Sequence, residues 1–235
     1  MSVPLRALPR TFVPGVSFEE GWIELPSEEL DKLRKVLRLS SGAEVAILPG
    51  DGTLVRCRLE GRRAIALETL RPDTEAKVEL TLAQALPKGD KLEEIVRAGT
   101  ELGVARFVVF PSERTVVRWE PPKVQDRLRR LGTIAREAAE VSFRTRVPRI
   151  EWQESLSDVL RVEPEAVVLS EADDVRSTLT RSERLTLVVG PEGGWSPREF
   201  ASIGDRGVTL GPRVLRVDHA GPSAAAILLL EPGLR

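Results

Sequence analysis

Residues 185–200, LTLVVGPEGGWSPREF, and residues 209–230, TLGPRVLRVDHAGPSAAAILLL, each read as a short apolar strand, a loop broken by glycine and proline, and a helix. In 185–189 only Thr186 interrupts the apolar run, the pattern of a strand covered on both faces. Gly190, Pro191, Gly193 and Gly194 end it. Ser196-Pro197-Arg198-Glu199 then supplies a helix start, with serine at the N-cap, proline at the first helical position and glutamate where a capping box wants its carboxylate. Residues 208–210 repeat the strand, Gly211-Pro212 repeat the break, and Pro222 opens a final apolar helix, 224–230. Two such loops leaving neighbouring strands at one edge of a parallel sheet would build the crevice in which open α/β sheets bind ligands.

Upstream of this pair the same grammar continues. Residues 78–85, 106–110 and 166–170 read as strands, and 88–103 and 123–140 as helices, the second with Val124, Leu128, Leu131, Ile134, Ala135 and Ala138 on one stripe. Strand–helix alternation implies a mostly parallel sheet with helices on both faces. Before Arg71-Pro72-Asp73 the pattern differs. Residues 11–13, 21–25, 43–48, 54–59 and 64–70 are short strands separated by turn residues, with Gly50-Asp51-Gly52 as a hairpin signal. The helix there is 27–39, with Leu30, Leu33, Val36 and Leu37 on one face and Arg34, Lys35 and Arg38 clustered on it. That cluster is either a solvated face or an RNA-facing patch. The expected organisation is a small barrel over 1–71 and an α/β domain over 72–235.

Composition narrows the chemistry. One cysteine, Cys57, excludes an internal disulfide, and with one histidine, His219, no metal site is expected. Cys57 reads as a buried core thiol. No apolar run approaches the roughly 18 residues of a membrane span, and the first ten residues lack the apolar middle of a signal peptide. The expectation is a cytoplasmic protein with no membrane partner. Net charge is −1, but 29 of the 35 basic residues are arginine, whose planar fork suits phosphates and base edges; a GC-rich genome gives the same bias.

The loop Gly190-Pro191-Glu192-Gly193-Gly194 lets backbone approach a ligand without Cβ obstruction. It is not followed by Gly-Lys-Ser/Thr and does not match Gly-x-Gly-x-x-Gly, so the two commonest nucleotide loops are disfavoured. Taken with LGPRVLR (210–216), it resembles the S-adenosylmethionine-binding region of SPOUT methyltransferases. More closely, the chain resembles the ribosomal RNA small subunit methyltransferase E family, which methylates N3 of a uridine in 16S rRNA. LPKGDKLEEIVRAGTELGV (86–104), PSERTVVRW (111–119), IAREAAEVSFRTRVPRI (134–150) and KVLRLSSGAEV (35–45) carry the likeness over nearly the whole chain.

The resemblance implies a PUA-like, RNA-binding β-barrel followed by a SPOUT domain with a C-terminal trefoil knot. It also implies S-adenosyl-L-methionine as cofactor, 16S rRNA of the small ribosomal subunit as partner, and a homodimer. Leu169, Gly190, Glu192, Gly194, Leu210, Gly211, Leu215 and Arg216 match its cofactor-loop positions. A sulfonium methyl is already activated, so the protein has to align the acceptor nitrogen and manage the N3 proton. A carboxylate base, or arginines stabilising charge on O2 and O4, would serve. Glu192 and Asp218 are the carboxylate candidates, and Arg10, Arg114, Arg136, Arg144 and Arg213 the cationic ones. Asp218 stands where the family commonly carries Glu, His219 where it has Thr, and Val141 where it has Gln; Asp31-Lys32 lack a family histidine. These departures leave open a non-catalytic RNA-binding or ribosome-assembly protein on the same fold, or an enzyme acting on another RNA.

Overall fold

In the computed structural model, which describes residues 3–171 and 179–230, contacts divide the chain into two units. The first is Met1–Glu75 with Ala139–Val147, the second Ala76–Ala138 with Pro148–Arg235.

The first unit holds a five-stranded mixed sheet. Its strands are β1 (Arg10–Phe12), β2 (Trp22–Glu24), β3 (Glu44–Leu48), β4 (Leu54–Glu60) and β5 (Arg63–Leu70), in the order β1-β3-β4-β5-β2. Only the β1–β3 pair is parallel. The β3–β4 hairpin turns on Gly50 and Gly52, at φ 90° and 100°, values that a Cβ disfavours. Asp51 closes the turn by accepting from the Thr53 N–H at 2.9 Å. Alternation along β3 sends Val45 and Ile47 into one cluster with Leu30, Leu33 and Cys57, and Ala46 and Leu48 into another with Phe12, Ala139 and Phe143. Cys57 is fully buried, and burial pushes its thiol up to about 12, so it is inert near neutral pH.

The helix expected over 27–39 is shorter and changes pitch. Helix α1 (Ser27–Asp31) gives way to a wide π turn over Lys32–Val36. The wide turn shifts the phase of the apolar stripe: Leu30 and Leu33 are buried, but Val36 is 72% exposed and Leu37 42%. Arg34 donates to the Gly61 carbonyl at 2.7 Å and Lys35 pairs with Asp31 at 2.8 Å.

The second unit is a six-stranded sheet in which every neighbouring pair is parallel. Its elements are β6 (Glu79–Ala85), α2 (Lys91–Leu102), β7 (Arg106–Phe110), α3 (Pro121–Val141, whose last residues join the first unit), β8 (Arg149–Trp152), α4 (Leu156–Val162), β9 (Val167–Leu169), β10 (Arg184–Val189), α5 (Pro197–Ile203), β11 (Gly207–Val208) and α6 (Val217–Leu229). The strand order is β11-β9-β10-β6-β7-β8. Helices cover both faces. Ala83, Ala85, Val108, Phe110, Val168 and Val188 pack with α4 and α5, while Leu82 and Phe107 meet Gly221 of α6 and Gly99 of α2.

Two elements, β8 and α4, went unforeseen, and one boundary is corrected. The last helix starts at Val217, not at Pro222, which lies inside it. The polar opening Val217-Asp218-His219 hid the start, and Pro222 occupies the second turn without ending the helix. Among the described residues no helix is long and apolar enough to cross a membrane, and no group of three or more His, Cys, Asp or Glu could hold a metal ion.

Gly99 sets how closely α2 lies on β7, since a Cβ there would stand 2.8 Å from the Phe107 ring. Alanine raises helix propensity by about 1 kcal/mol, but overpacking a core costs about 1–3 kcal/mol. Gly99→Ala is expected to lower the urea midpoint with an unchanged m value. A midpoint at or above wild type would show that the contact relaxes freely.

Candidate active site

The carboxyl ends of β9, β10 and β11 open on one edge of the parallel sheet. A cleft of about 520 Å³ lies there, within the usual size of small-molecule sites. One wall is the turn after β10, a second the segment 209–217 leading into α6, and the floor is Leu169 and Ser170 at the end of β9.

The turn is built as its sequence demands. A Cβ at Gly190 would stand 3.1 Å from the Trp195 indole, tighter than ordinary contact, and Gly194 takes φ 65°. Trp195 donates from Nε1 to the Leu169 carbonyl at 3.0 Å, tying the turn to β9. Ser196 caps α5 by accepting from the Glu199 N–H at 3.0 Å, and Glu199 accepts from the Ser196 N–H at 2.9 Å, completing the expected capping box. Glu199 also accepts from the Glu113 N–H at 2.9 Å.

Glu192 lines the cleft, yet its carboxylate is engaged. It accepts from the Lys88 N–H at 3.1 Å and pairs with Lys91. Burial alone would raise its pKa, but the hydrogen bonds from Lys91 and from backbone N–H groups outweigh that and hold it below the ordinary carboxylate value. A carboxylate so held is a weak base and a steady negative charge.

Leu169, Gly190, Gly194, Leu210, Leu215 and Arg216 line the cleft with Glu192, and so does Arg213. Gly211 does not; at φ 121° it shapes the second wall, and its N–H donates to Thr209 Oγ1 at 3.2 Å. Asp218 lies at the first turn of α6, outside the lining, 3.2 Å from Arg216. The hydrogen bond from Arg216 lowers its pKa. Arg114 donates to the Gly193 carbonyl at 2.9 Å, behind the turn. Arg136 is half-buried on α3.

Arg10 and Arg144 lie in the first unit. Arg10 donates to the Leu8 and Glu140 carbonyls at 3.2 Å and stacks 4.6 Å over Phe143, and burial lowers its pKa. Arg144, only 4% exposed, pairs with Glu75 at 2.7 Å. Two further departures from the family pattern also lie outside the lining: Val141 is 80% exposed at the end of α3, and His219 sits on α6 beside Asp218.

Three contributors were missed. Trp195 and Lys91 line the cleft, and Gln84, fully buried on β6, donates from Nε2 to the Ala85 carbonyl at 2.9 Å and the Gly190 carbonyl at 3.4 Å. The available signal for Gln84 was an amide inside the otherwise apolar run LAQAL. Trp195 and Lys91 carried none beyond closeness to the glycine turn and a helix start.

Comparison with known proteins gives the class first. A family described as RNA methyltransferase domain matches residues 74–229. Within that class, the chain belongs to the ribosomal RNA small subunit methyltransferase E family. It is 31% identical to that methyltransferase from Bacillus subtilis (strain 168), over 86% of this chain and 87% of the relative. It is 34% identical to the one from Mycobacterium bovis (strain ATCC BAA-935 / AF2122/97), over 85% and 81%. A crystal structure of the Neisseria gonorrhoeae protein bound to S-adenosyl methionine matches with a TM-score of 0.81 at 28% identity, covering 94% of this chain and 96% of that one.

The Glu192 tether makes a pH-dependent prediction. A carboxyl whose folded pKa is depressed stabilises the fold above its unfolded value, and loses that contribution as pH falls through the folded one. Glu192→Gln is therefore expected to destabilise by about 1 kcal/mol at pH 7, the scale of a partly screened charge-assisted bond. The difference between variant and wild type should shrink as the pH falls below the ordinary value of 4.5. Urea midpoints at pH 7 and pH 3.5 measure it, and a pH-independent difference would reject the tether.

Proposed function

We propose that this protein is an S-adenosyl-L-methionine-dependent methyltransferase that methylates N3 of a uridine in 16S rRNA of the small ribosomal subunit. It acts in the cytoplasm as a homodimer. The observation that carries the reading is the single cleft shared by GPEGG and LGPRVLR, the two loops in which the family resemblance is most specific.

The residues present fit that cofactor. Leu169, Leu210, Leu215 and Val189 give apolar walls for an adenine ring, and the glycine turn brings backbone groups to the cleft. Glu192 adds a fixed negative charge suited to a sulfonium. When bound, the cofactor supplies an electrophilic methyl group. The protein's share is to align the acceptor nitrogen with it and to relieve the neutral imide of its N3 proton. Arg213, exposed at the cleft, is proposed to meet developing charge on a uracil oxygen. Arg10, Arg114, Arg136 and Arg144 are the further arginines proposed to serve the RNA, and Asp218 to orient Arg216. Because Glu192 is a weak base, the proton is proposed to leave to water once charge on O2 and O4 is stabilised. N3 is hidden in a base pair, so the uridine is taken unpaired.

Residues 1–71 are proposed to form a PUA-like RNA-binding barrel and residues 72–235 a SPOUT domain with a trefoil knot. The resemblance of GPEGGWS and LGPRVLR to the SPOUT cofactor region is what supports the knot. Ile227 on α6 and Leu230 just beyond its end, both exposed, support a second copy against that helix.

Labelled methyl donor and small subunits lacking the modification test the reading. Incorporation recovered as N3-methyluridine is expected. Incorporation at a ribose, or none from well-folded protein that binds the cofactor, would reject it. Arg213→Ala should lower kcat/KM for the RNA about 10- to 100-fold, as loss of a charged hydrogen bond does, with cofactor affinity kept within about twofold by calorimetry.

A further inference from the structure

We propose that a second cleft on the same sheet edge, walled by the stacked indoles of Trp119 and Trp152, holds an unpaired nucleobase of the RNA beside the target uridine. The proposal rests on the reading above, which supplies the nucleic acid.

This cleft measures about 330 Å³ and lies beyond the carboxyl ends of β7 and β8. The two indoles stack with centroids 5.3 Å apart and planes at 15°. Both line the cleft and neither is buried, so the stack can be lengthened by one more planar ring. Every base has a π face, and stacking on an aromatic side chain is the sequence-tolerant way to hold single strands. The volume is at the small end of ligand sites, enough for one base with its sugar and not for a duplex.

The polar rim holds Arg118 together with the carboxylates Glu113, Glu154 and Glu199, so the indole stack is what selects a nucleobase. Arg118 is exposed on the rim and pairs with no carboxylate among the described residues, which leaves it free for a phosphate. The carboxylates nearby keep their charge but are held in place by hydrogen bonds. Glu154 accepts from Trp152 Nε1 at 2.8 Å, Glu113 accepts from Ser196 Oγ at 2.5 Å, and Glu199 is held in the capping box. Ser157 adds a small hydroxyl that can read a base edge, while the Ser112 hydroxyl donates to Glu199 at 3.2 Å.

The two clefts have no lining residue in common, but one loop links their surroundings. The loop carrying Ser112, Glu113 and Arg114 bonds to Glu199 on one side and to the Gly193 carbonyl on the other. A strand whose uridine is held at the first cleft is proposed to run past this loop and present a nearby nucleotide to the second. The site requires that this nucleotide too be unpaired, the state that protein stacking sites select.

Photocrosslinking single-stranded 16S rRNA fragments containing 4-thiouridine, followed by peptide mapping, tests the site. Crosslinks are expected in residues 111–119 or 149–157. Trp119→Ala and Trp152→Ala should lose them and raise KM for the RNA roughly 5- to 100-fold. Their cofactor dissociation constants, measured by calorimetry as the control for folding, should stay at the wild-type value, and Trp→Phe variants should keep most of the affinity. Crosslinks confined to other segments would overturn the proposal. So would alanine variants with unchanged KM, or tryptophan fluorescence that responds to spermine and not to RNA. Wild-type protein that crosslinks here but transfers no methyl group would sink the enzymatic reading and leave the nucleobase site standing.

Discussion

Strand β10 is paired along its whole length with β6 and at Leu187 and Val188 with β9, and the cleft depends on that double pairing. A strand enclosed on both edges and both faces has no freedom to shift register without exposing Leu187, Val188 or Val189. Its last residue, Val189, is thus fixed in height beside Gln84. The glycine turn begins at that height, and Gln84 reaches the Gly190 carbonyl from the neighbouring strand. On the far side Trp195 reaches Leu169 of β9. The turn is suspended between the two strands that flank β10.

A parallel sheet sends all its strand ends to one edge, so loops distant in sequence meet there without further design. Ser112 after β7, Glu199 in α5 and Gly193 after β10 lie in one network for that reason. The opposite edge is fastened differently. Arg106 joins Glu163, Glu151 and Thr81, and Glu163 also accepts from Thr186 at 2.9 Å. One edge is sewn with charge and the other left open for a ligand.

Much of this was legible in the sequence, and the parts that were not have physical causes. Buried strands such as 106–110 and 185–189 announce themselves because parallel pairing needs apolar residues on both faces. The capping box of α5 was readable to the residue because its bonds are local. Strand β8, Arg149–Trp152, was not, being an edge strand with every residue at least partly exposed. The π turn after α1 was invisible because helical periodicity assumes constant pitch. At the site, the glycine loops were visible and their fastenings were not: Lys91 and Gln84 are neighbours of Glu192 and Gly190 only through sheet order. The role of Arg144 as partner of Glu75 likewise emerges only when residues about seventy positions apart are brought together.

The two walls of the first cleft are unequally secured. The wall made by the GPEGG turn is pinned at Lys88 and Lys91 through Glu192, at Leu169 through Trp195, and at Arg114 through Gly193. Across from it, the segment around Gly211 makes its side-chain bonds to Thr209, two residues away, and Val214 is 75% exposed. Any widening needed for an occupant to come and go therefore falls to the latter side, which makes it the jaw and the glycine turn the anvil.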